Sequence, residues 1–303
     1  MNFRMIGQVV GRVLCIEAAL MLLPMIAALV YDESPVPFLI TIAVTGGIGL
    51  AMWRMRAKSG GMTARDGFLI VGLSWIAMSL FGALLFVLTG DIPNYIDALF
   101  ETISGLTTTG ASVVTSPESM TRGGMFWRLF THWIGGMGIL VFVLAVSPMA
   151  NGDSGDALHL LRAESPGVNV GKLVPRMRRS TTILYLIYIG LTVLMFVLLI
   201  FDMPFFDALT TAFATAGTGG FAIKNDSFAS YSAYTQTVTT VFMALFGVNF
   251  SIYFFLLRRK FDLAWKNTEL RWYVSIIVIS TLLITFNIKS LYHGDFGYSL
   301  HHA

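Results

Sequence analysis

Seven apolar runs punctuate the chain, at about 5–31, 37–53, 67–89, 126–149, 180–201, 233–257 and 271–288. Each is close to the roughly 20 residues a helix needs to cross the hydrocarbon core of a bilayer. Two further apolar stretches, about 94–106 and 204–215, amount to some three helical turns and are too short to cross. Each runs directly into a Thr/Gly-rich segment. The first reads Thr107-Thr108-Thr109-Gly110-Ala111-Ser112, the second Thr215-Ala216-Gly217-Thr218-Gly219-Gly220-Phe221. Their approaches also match, since Asp91-Ile92-Pro93 leads to Asp97-Ala98-Leu99 in the first copy and Asp202-Met203-Pro204 leads to Asp207-Ala208-Leu209 in the second. The pattern predicts an all-α polytopic membrane protein built from repeated helix–pore-loop–helix units, with about seven transmembrane helices and two re-entrant pore helices.

A Gly/Thr strand at membrane depth is tolerated only where its unpaired carbonyls line a polar path, and a ring of carbonyls that replaces an ion's water shell is how potassium filters work. The candidate ion-binding residues are therefore Thr108, Thr109, Gly110 and Ala111 in the first segment, with Gly217, Thr218, Gly219 and Gly220 in the second. Gly110 and Gly219 are the positions expected to need backbone geometry that a side chain would strain. A lone T-x-G is ordinarily a turn at a helix end; its duplication behind matched Asp-Ala-Leu approaches favours the filter. If the short stretches are helical, their C-terminal dipole ends face the segments and favour a cation, while Asp97 and Asp207 sit near the N-termini as structural caps. Glu101, one turn past Asp97, either hydrogen-bonds behind the filter or contributes to the field of the outer vestibule.

Composition agrees with membrane residence. Hydrophobic residues make up 55% of 303, charged residues 12%, and mean hydropathy is +0.73, values that place the chain outside the soluble class. The basic balance, net +3 with a pI near 9.0, does not imply nucleic acid, because Lys and Arg flank the apolar runs. Only Arg122, Arg128, Lys224 and Lys289 of the 20 fall on one side of the predicted topology. The rest gather on the other, and the positive-inside rule makes that side cytoplasmic, with the N-terminus inside and both Thr/Gly segments outside. The first run is long and has no clear cleavage site, so it reads as a retained helix. Cys15, the only cysteine, excludes a disulfide framework and reads as a small packing residue. No zinc-protease, phosphate-loop or nucleophile-elbow motif is present, which leaves no machinery for an enzyme.

The organisation that follows is an N-terminal hairpin over 1–65, a first repeat over 66–150, a cytoplasmic linker over 151–179, a second repeat over 180–260, and the start of a third over 261–303. Asp295-Phe296-Gly297-Tyr298-Ser299-Leu300 resembles the approach to Asp97, so the chain reads as the front part of a longer protein. The basic linker serves either as a topological anchor or as a docking surface for a cytosolic regulator. Glu17 and Asn249 are intramembrane polar groups best explained by interhelical hydrogen bonding, and His132 reads as packed and hydrogen-bonded, not metal-ligating. A transporter with broken helices and inverted repeats is a competing architecture, disfavoured because both repeats start inside. A non-conducting half-pore that needs a second polypeptide is another.

Four motifs carry a family resemblance: Ser104-Gly105-Leu106-Thr107-Thr108-Thr109-Gly110-Ala111, His132-Trp133-Ile134-Gly135-Gly136-Met137-Gly138, Leu161-Arg162-Ala163-Glu164-Ser165-Pro166-Gly167, and Phe213-Ala214-Thr215 with Thr218-Gly219-Gly220-Phe221. Together they resemble the Trk/Ktr/HKT superfamily of potassium transporters over essentially the whole chain. The resemblance implies four helix–pore–helix units around one ion path and filter glycines at Gly110 and Gly219. It implies potassium as substrate with no bound cofactor, a homodimer in the bacterial inner membrane, and a cytosolic nucleotide-binding regulatory subunit of the TrkA type. Channel-like conduction and proton- or sodium-coupled symport both remain compatible with it.

Overall fold

The computed structural model describes residues 3–55, 64–136, 138, 177–291 and 295–303. Most of the expected linker 151–179, including Arg162 and the Glu164-Ser165-Pro166-Gly167 motif, lies outside the described residues, as do 139–149 of the fourth apolar run. Among the described residues every regular element is helical.

The first apolar run forms two helices, α1 (Phe3–Leu20) and α2 (Leu22–Val30), in place of one. The break at Met21 follows from Pro24, which has no N–H to give the carbonyl of Leu20. Helix α3 (Val36–Trp53) crosses α1 at very short range. A Cβ on Gly11 would sit 2.6 Å from the Gly49 carbonyl oxygen, and one on Gly49 would sit 2.9 Å from Cys15 Sγ. This is the small-residue packing that lets helix backbones approach in a lipid phase, and it makes Cys15 a packing residue as its context predicts.

Helix α4 (Ala64–Thr89) leads to the short α5 (Tyr95–Leu106), and α6 (Arg122–Gly136) follows after an irregular segment. The second copy runs α7 (Met177–Leu199), short α8 (Phe205–Ala216) and α9 (Ala233–Phe246). Helices α5 and α8 are both 12 residues long. The run expected as one helix over 233–257 is broken: α9 and α10 (Phe250–Leu257) meet at 90° across Gly247-Val248-Asn249. The Ala244 carbonyl freed there accepts from the Tyr273 hydroxyl at 2.9 Å, and the Leu245 carbonyl, which also accepts Val248 N–H at 3.2 Å, takes the Tyr253 hydroxyl at 2.6 Å. Asn249 caps α10 through Ser251 N–H and donates to Glu269 at 3.0 Å, the interhelical role its polarity predicts. The chain continues through α11 (Phe261–Trp265), α12 (Thr268–Ile288) and α13 (Phe296–His302), the last capped by Asp295.

By length and hydropathy five described helices can cross a membrane, and six if the bent α9–α10 pair counts as one span. The expected span at 126–149 is described only through α6. Two buried clusters organise the interior. One joins α1, α4, α5 and α6 with Phe206, Ala214 and Phe221, and the other joins α7, α8 and α9. Trp133 packs against both, and Phe213 of α8 stacks among Phe126, Phe130 and Trp133 at centroid distances of 5.6, 5.1 and 5.8 Å. Helix α6 is thus the wall against which the second copy leans.

Candidate functional site

The two Thr/Gly segments leave α5 and α8 in the same way. Thr107 N–H donates to Ile103 at 2.8 Å and Thr108 N–H to Gly105 at 3.1 Å; Gly217 N–H donates to Phe213 at 3.2 Å and Thr218 N–H to Thr215 at 2.9 Å. The chain then turns left-handed at Thr108 (φ 54°) and Thr218 (φ 54°), and again at Gly110 (φ 75°) and Gly220 (φ 92°). The intervening Thr109 and Gly219 are not left-handed. Threonine rarely adopts such a conformation, and it persists only where the surroundings over-determine it. The backbone therefore pairs Gly110 with Gly220 and Thr109 with Gly219, one residue on from the pairing of Gly110 with Gly219 that the motifs imply.

A backbone that alternates hand turns successive carbonyls toward one side. Among the described residues no hydrogen bond is accepted by the carbonyls of Thr107 through Ala111, nor by those of Gly217, Thr218 and Gly220. Thr109, Ala111, Thr218 and Gly220 are exposed, and Thr108, Gly110 and Gly219 are half-buried. The two segments touch, because a Cβ built on Gly110 would overlap the carbonyl of Gly219. All eight candidate residues thus belong to two adjoining strands of the same backbone shape.

Helix α6 holds both strands from behind. A Cβ on Gly135 would overlap the Leu106 carbonyl, one on Gly136 would lie 2.8 Å from Gly217 Cα, and one on Gly217 would overlap the His132 carbonyl. Gly217 is therefore demanded by close approach. The His132 ring is fully buried against the Gly219 backbone, 4.1 Å from the Phe221 ring centroid. It is packed as expected, but neither ring nitrogen has a hydrogen-bond partner among the described residues.

Glu101 resolves to the position behind the strand. Both it and Arg128 are buried, and Arg128 Nε donates to Glu101 Oε1 at 2.6 Å. Ser112 Oγ donates to the same carboxylate at 2.8 Å and Val113 N–H at 3.0 Å. Arg128 also donates to Ser112 Oγ at 3.1 Å and across to the Ala222 carbonyl at 3.0 Å, with its guanidinium 3.8 Å from the Phe221 ring centroid. A buried ion pair is tolerated when its remaining hydrogen-bonding capacity is used in this way. The charge distribution along the sequence places Arg128 among the outer-face charges, whereas the structure buries it in this pair. The available signal was that Arg128 is the only charge in the apolar run 126–149.

The matched approaches to α5 and α8 carry a second shared feature, in the contacts that Asp91 and Asp202 make. Asp91 accepts from Thr121 N–H and Oγ1, both at 2.7 Å, and Thr121 caps α6 through Gly124 N–H at 3.0 Å. Asp202 accepts from Ser232, the cap of α9, and from Thr235 Oγ1 at 2.6 Å. These two hydroxyls hold the Asp202 carboxyl below the usual carboxylate range. Asp97 and Asp207 are not caps: Asn94 caps α5, no side chain caps α8, and Asp207 instead pairs with Arg122 at 3.5 Å. Glu33 accepts from Arg122 and Gly123 N–H at 2.5 and 2.9 Å, pinning α2 to the start of α6. Asn225 N–H donates to Glu118 at 2.6 Å, joining the loops that follow the two Thr/Gly strands and lowering the Glu118 pKa.

The model of the TrkH family, described as cation transport protein, matches residues 37–291. Over 299 residues the chain is 36% identical to the Trk system potassium uptake protein TrkH of Salmonella typhimurium, covering 95% of this chain and 61% of that protein. It is 31% identical over 309 residues to the Trk system potassium uptake protein TrkG of Escherichia coli, covering 98% and 63%. The crystal structure of the potassium transporter TrkH from Vibrio parahaemolyticus matches with a TM-score of 0.83 at 31% identity, over 99% of this chain and 62% of that one. The chain thus spans about three fifths of the length of the curated relatives it matches.

Proposed function

The chain belongs to the TrkH family of cation transport proteins, and from that premise we propose that it contributes the first two walls of a carbonyl-lined potassium path. Thr108, Thr109, Gly110 and Ala111 form one wall, and Gly217, Thr218, Gly219 and Gly220 the other. The observation that carries the reading is the pair of adjoining strands with alternating hand and unaccepted carbonyls. Such carbonyls take the place of water around a dehydrated cation. Helices α5 and α8 end on the strands, so their partial negative charge favours a cation there. On this reading α5 and α8 are pore helices that enter the membrane from outside and return, the N-terminus is cytoplasmic, and the domain limits are those given by the repeat.

The transported species is potassium, as the Trk system names of the relatives suggest. The family resemblance adds a homodimer in the bacterial inner membrane and a cytosolic nucleotide-binding partner of the TrkA type, docked on the basic inner segments around Arg258, Arg259 and Lys260. The test is uptake by the protein as its host expresses it, in cells deprived of other potassium routes, with potassium and sodium compared at equal protein level. Gly110→Ser and Gly220→Ser should impair potassium preference more than membrane abundance. Unchanged preference in both variants would remove the filter assignment, and absence of any uptake by the unaltered protein would favour a half-pore that needs a second polypeptide.

A further inference from the structure

The two repeats are equivalent in backbone but not in what stands behind the strand. Glu101 lies four residues after Asp97, and Thr211 lies four after Asp207. Arg128 lies seven after the cap Thr121, and Thr239 lies seven after the cap Ser232. Where the first repeat has an ion pair, the second has two threonines. The space is not refilled: a cavity of about 190 Å³ lies there, lined by Thr211, Thr215, Tyr231, Thr239 and the strand from Thr218 to Ile223. Thr239 Oγ1 and the Tyr231 hydroxyl have no hydrogen-bond partner among the described residues. The pair in the first repeat serves both strands, because Arg128 reaches the Ala222 carbonyl and the Phe221 face while Glu101 holds Ser112 and Val113.

We propose that Glu101 and Arg128 are the positioning residues that set ion preference, by holding the outer ends of both Thr/Gly strands at one fixed separation. The inference rests on the reading of those strands as an ion filter. A carbonyl site discriminates between cations only as far as its oxygens are held in number and distance, and the planar fork of an arginine is suited to hold three partners at once where a lysine is not. The second strand has no such brace of its own. Its outer end is fixed at Ala222 from the first repeat, so loss of the pair releases both strands together.

The experiment is uptake by the host-expressed protein, with KM and Vmax for potassium, sodium competition, and membrane abundance measured in each variant. The unaltered protein comes first: failure to prefer potassium there would defeat the filter reading itself and leave the brace without a function to tune. Given that preference, Arg128→Lys keeps the charge but not the fork, and Glu101→Gln keeps the shape but not the charge. Each should lower the potassium-over-sodium preference on the order of tenfold through KM, with abundance and Vmax little changed. Thr239→Val, which alters the cavity and touches no brace, should leave preference intact. Wild-type preference in both brace variants at equal abundance would overturn the proposal, as would an equal loss in Thr239→Val. If neither brace variant reaches the membrane, Ser112→Ala, which removes one link at an exposed end, decides: lowered preference supports the brace and unaltered preference overturns it.

Discussion

Replacing Gly135 with alanine tests whether helix α6 braces the first strand as closely as the geometry requires. The new methyl group would overlap the Leu106 carbonyl oxygen and lie 2.9 Å from both Leu106 C and Thr108 Cγ2, where ordinary contact begins at 3.4 Å. Two opposed effects compete. Alanine is the better helix former by about 1 kcal/mol, whereas overpacking a filled site costs about 1–3 kcal/mol. Here the obstacle is backbone at the end of α5, which cannot rotate away as a flexible side chain would, so the clash outweighs the gain, with a net loss of up to about 2 kcal/mol. Gly47→Ala is the matched control, because a Cβ there meets nothing within 4 Å. It should be neutral or stabilising by up to about 1 kcal/mol. Thermal unfolding of detergent-purified protein, followed by dye labelling of Cys15, should separate the two variants by several degrees. Equal melting temperatures would refute the close packing of α6 on α5, and with it the claim that the strand is held from behind.

Further outcomes follow from other contacts. Gly110→Ala should be worse than Gly220→Ala for potassium preference at matched abundance: both positions have positive φ, but only at Gly110 does the added atom also meet the opposite strand. Tyr273→Phe strips the Ala244 carbonyl of its donor at the helix break and should cost about 1–3 kcal/mol, read as a lower melting temperature. Because its carboxyl titrates below the unfolded value of about 3.9, Asp202 contributes stability above that pH, and the contribution fades as pH falls through its folded value. Melting temperatures of Asp202→Asn and the unaltered protein should therefore differ most near neutrality and converge in acid. Glu33→Ala removes the acceptor for two N–H groups at the start of α6 and should cost about 1 kcal/mol, with the change in melting temperature as the measure.

What the sequence made legible was whatever a period or a duplication records. The 12-residue length of α5 and α8, their shared approach and the Thr/Gly exits are linear features, so the sequence alone locates both strands. It does not set their register, because Thr-Thr-Gly and Gly-Thr-Gly look equivalent as strings, whereas φ at Thr108, Gly110, Thr218 and Gly220 fixes the pairing. The break at Gly247 was hidden because apolar composition continues unchanged from α9 into α10, and the donor that satisfies the freed Ala244 carbonyl, the Tyr273 hydroxyl, comes from a later helix. The Glu101–Arg128 pair spans 27 residues of sequence and has no periodic signature. Asp97 and Asp207 show the opposite failure: their position near a helix start suggested caps, but Asn94 takes that role in one copy and Arg122 claims the carboxylate in the other.

We expect the two adjoining strands to bind a dehydrated cation through their carbonyls. Anomalous diffraction from crystals of the host-expressed protein grown in rubidium or thallium addresses this directly. The account predicts a peak within coordination distance of carbonyl oxygens from both the Thr108–Gly110 and the Thr218–Gly220 strands, displaced by potassium more readily than by sodium. A well-ordered pair of strands with no peak between them, or a cation held elsewhere by side chains alone, would contradict it.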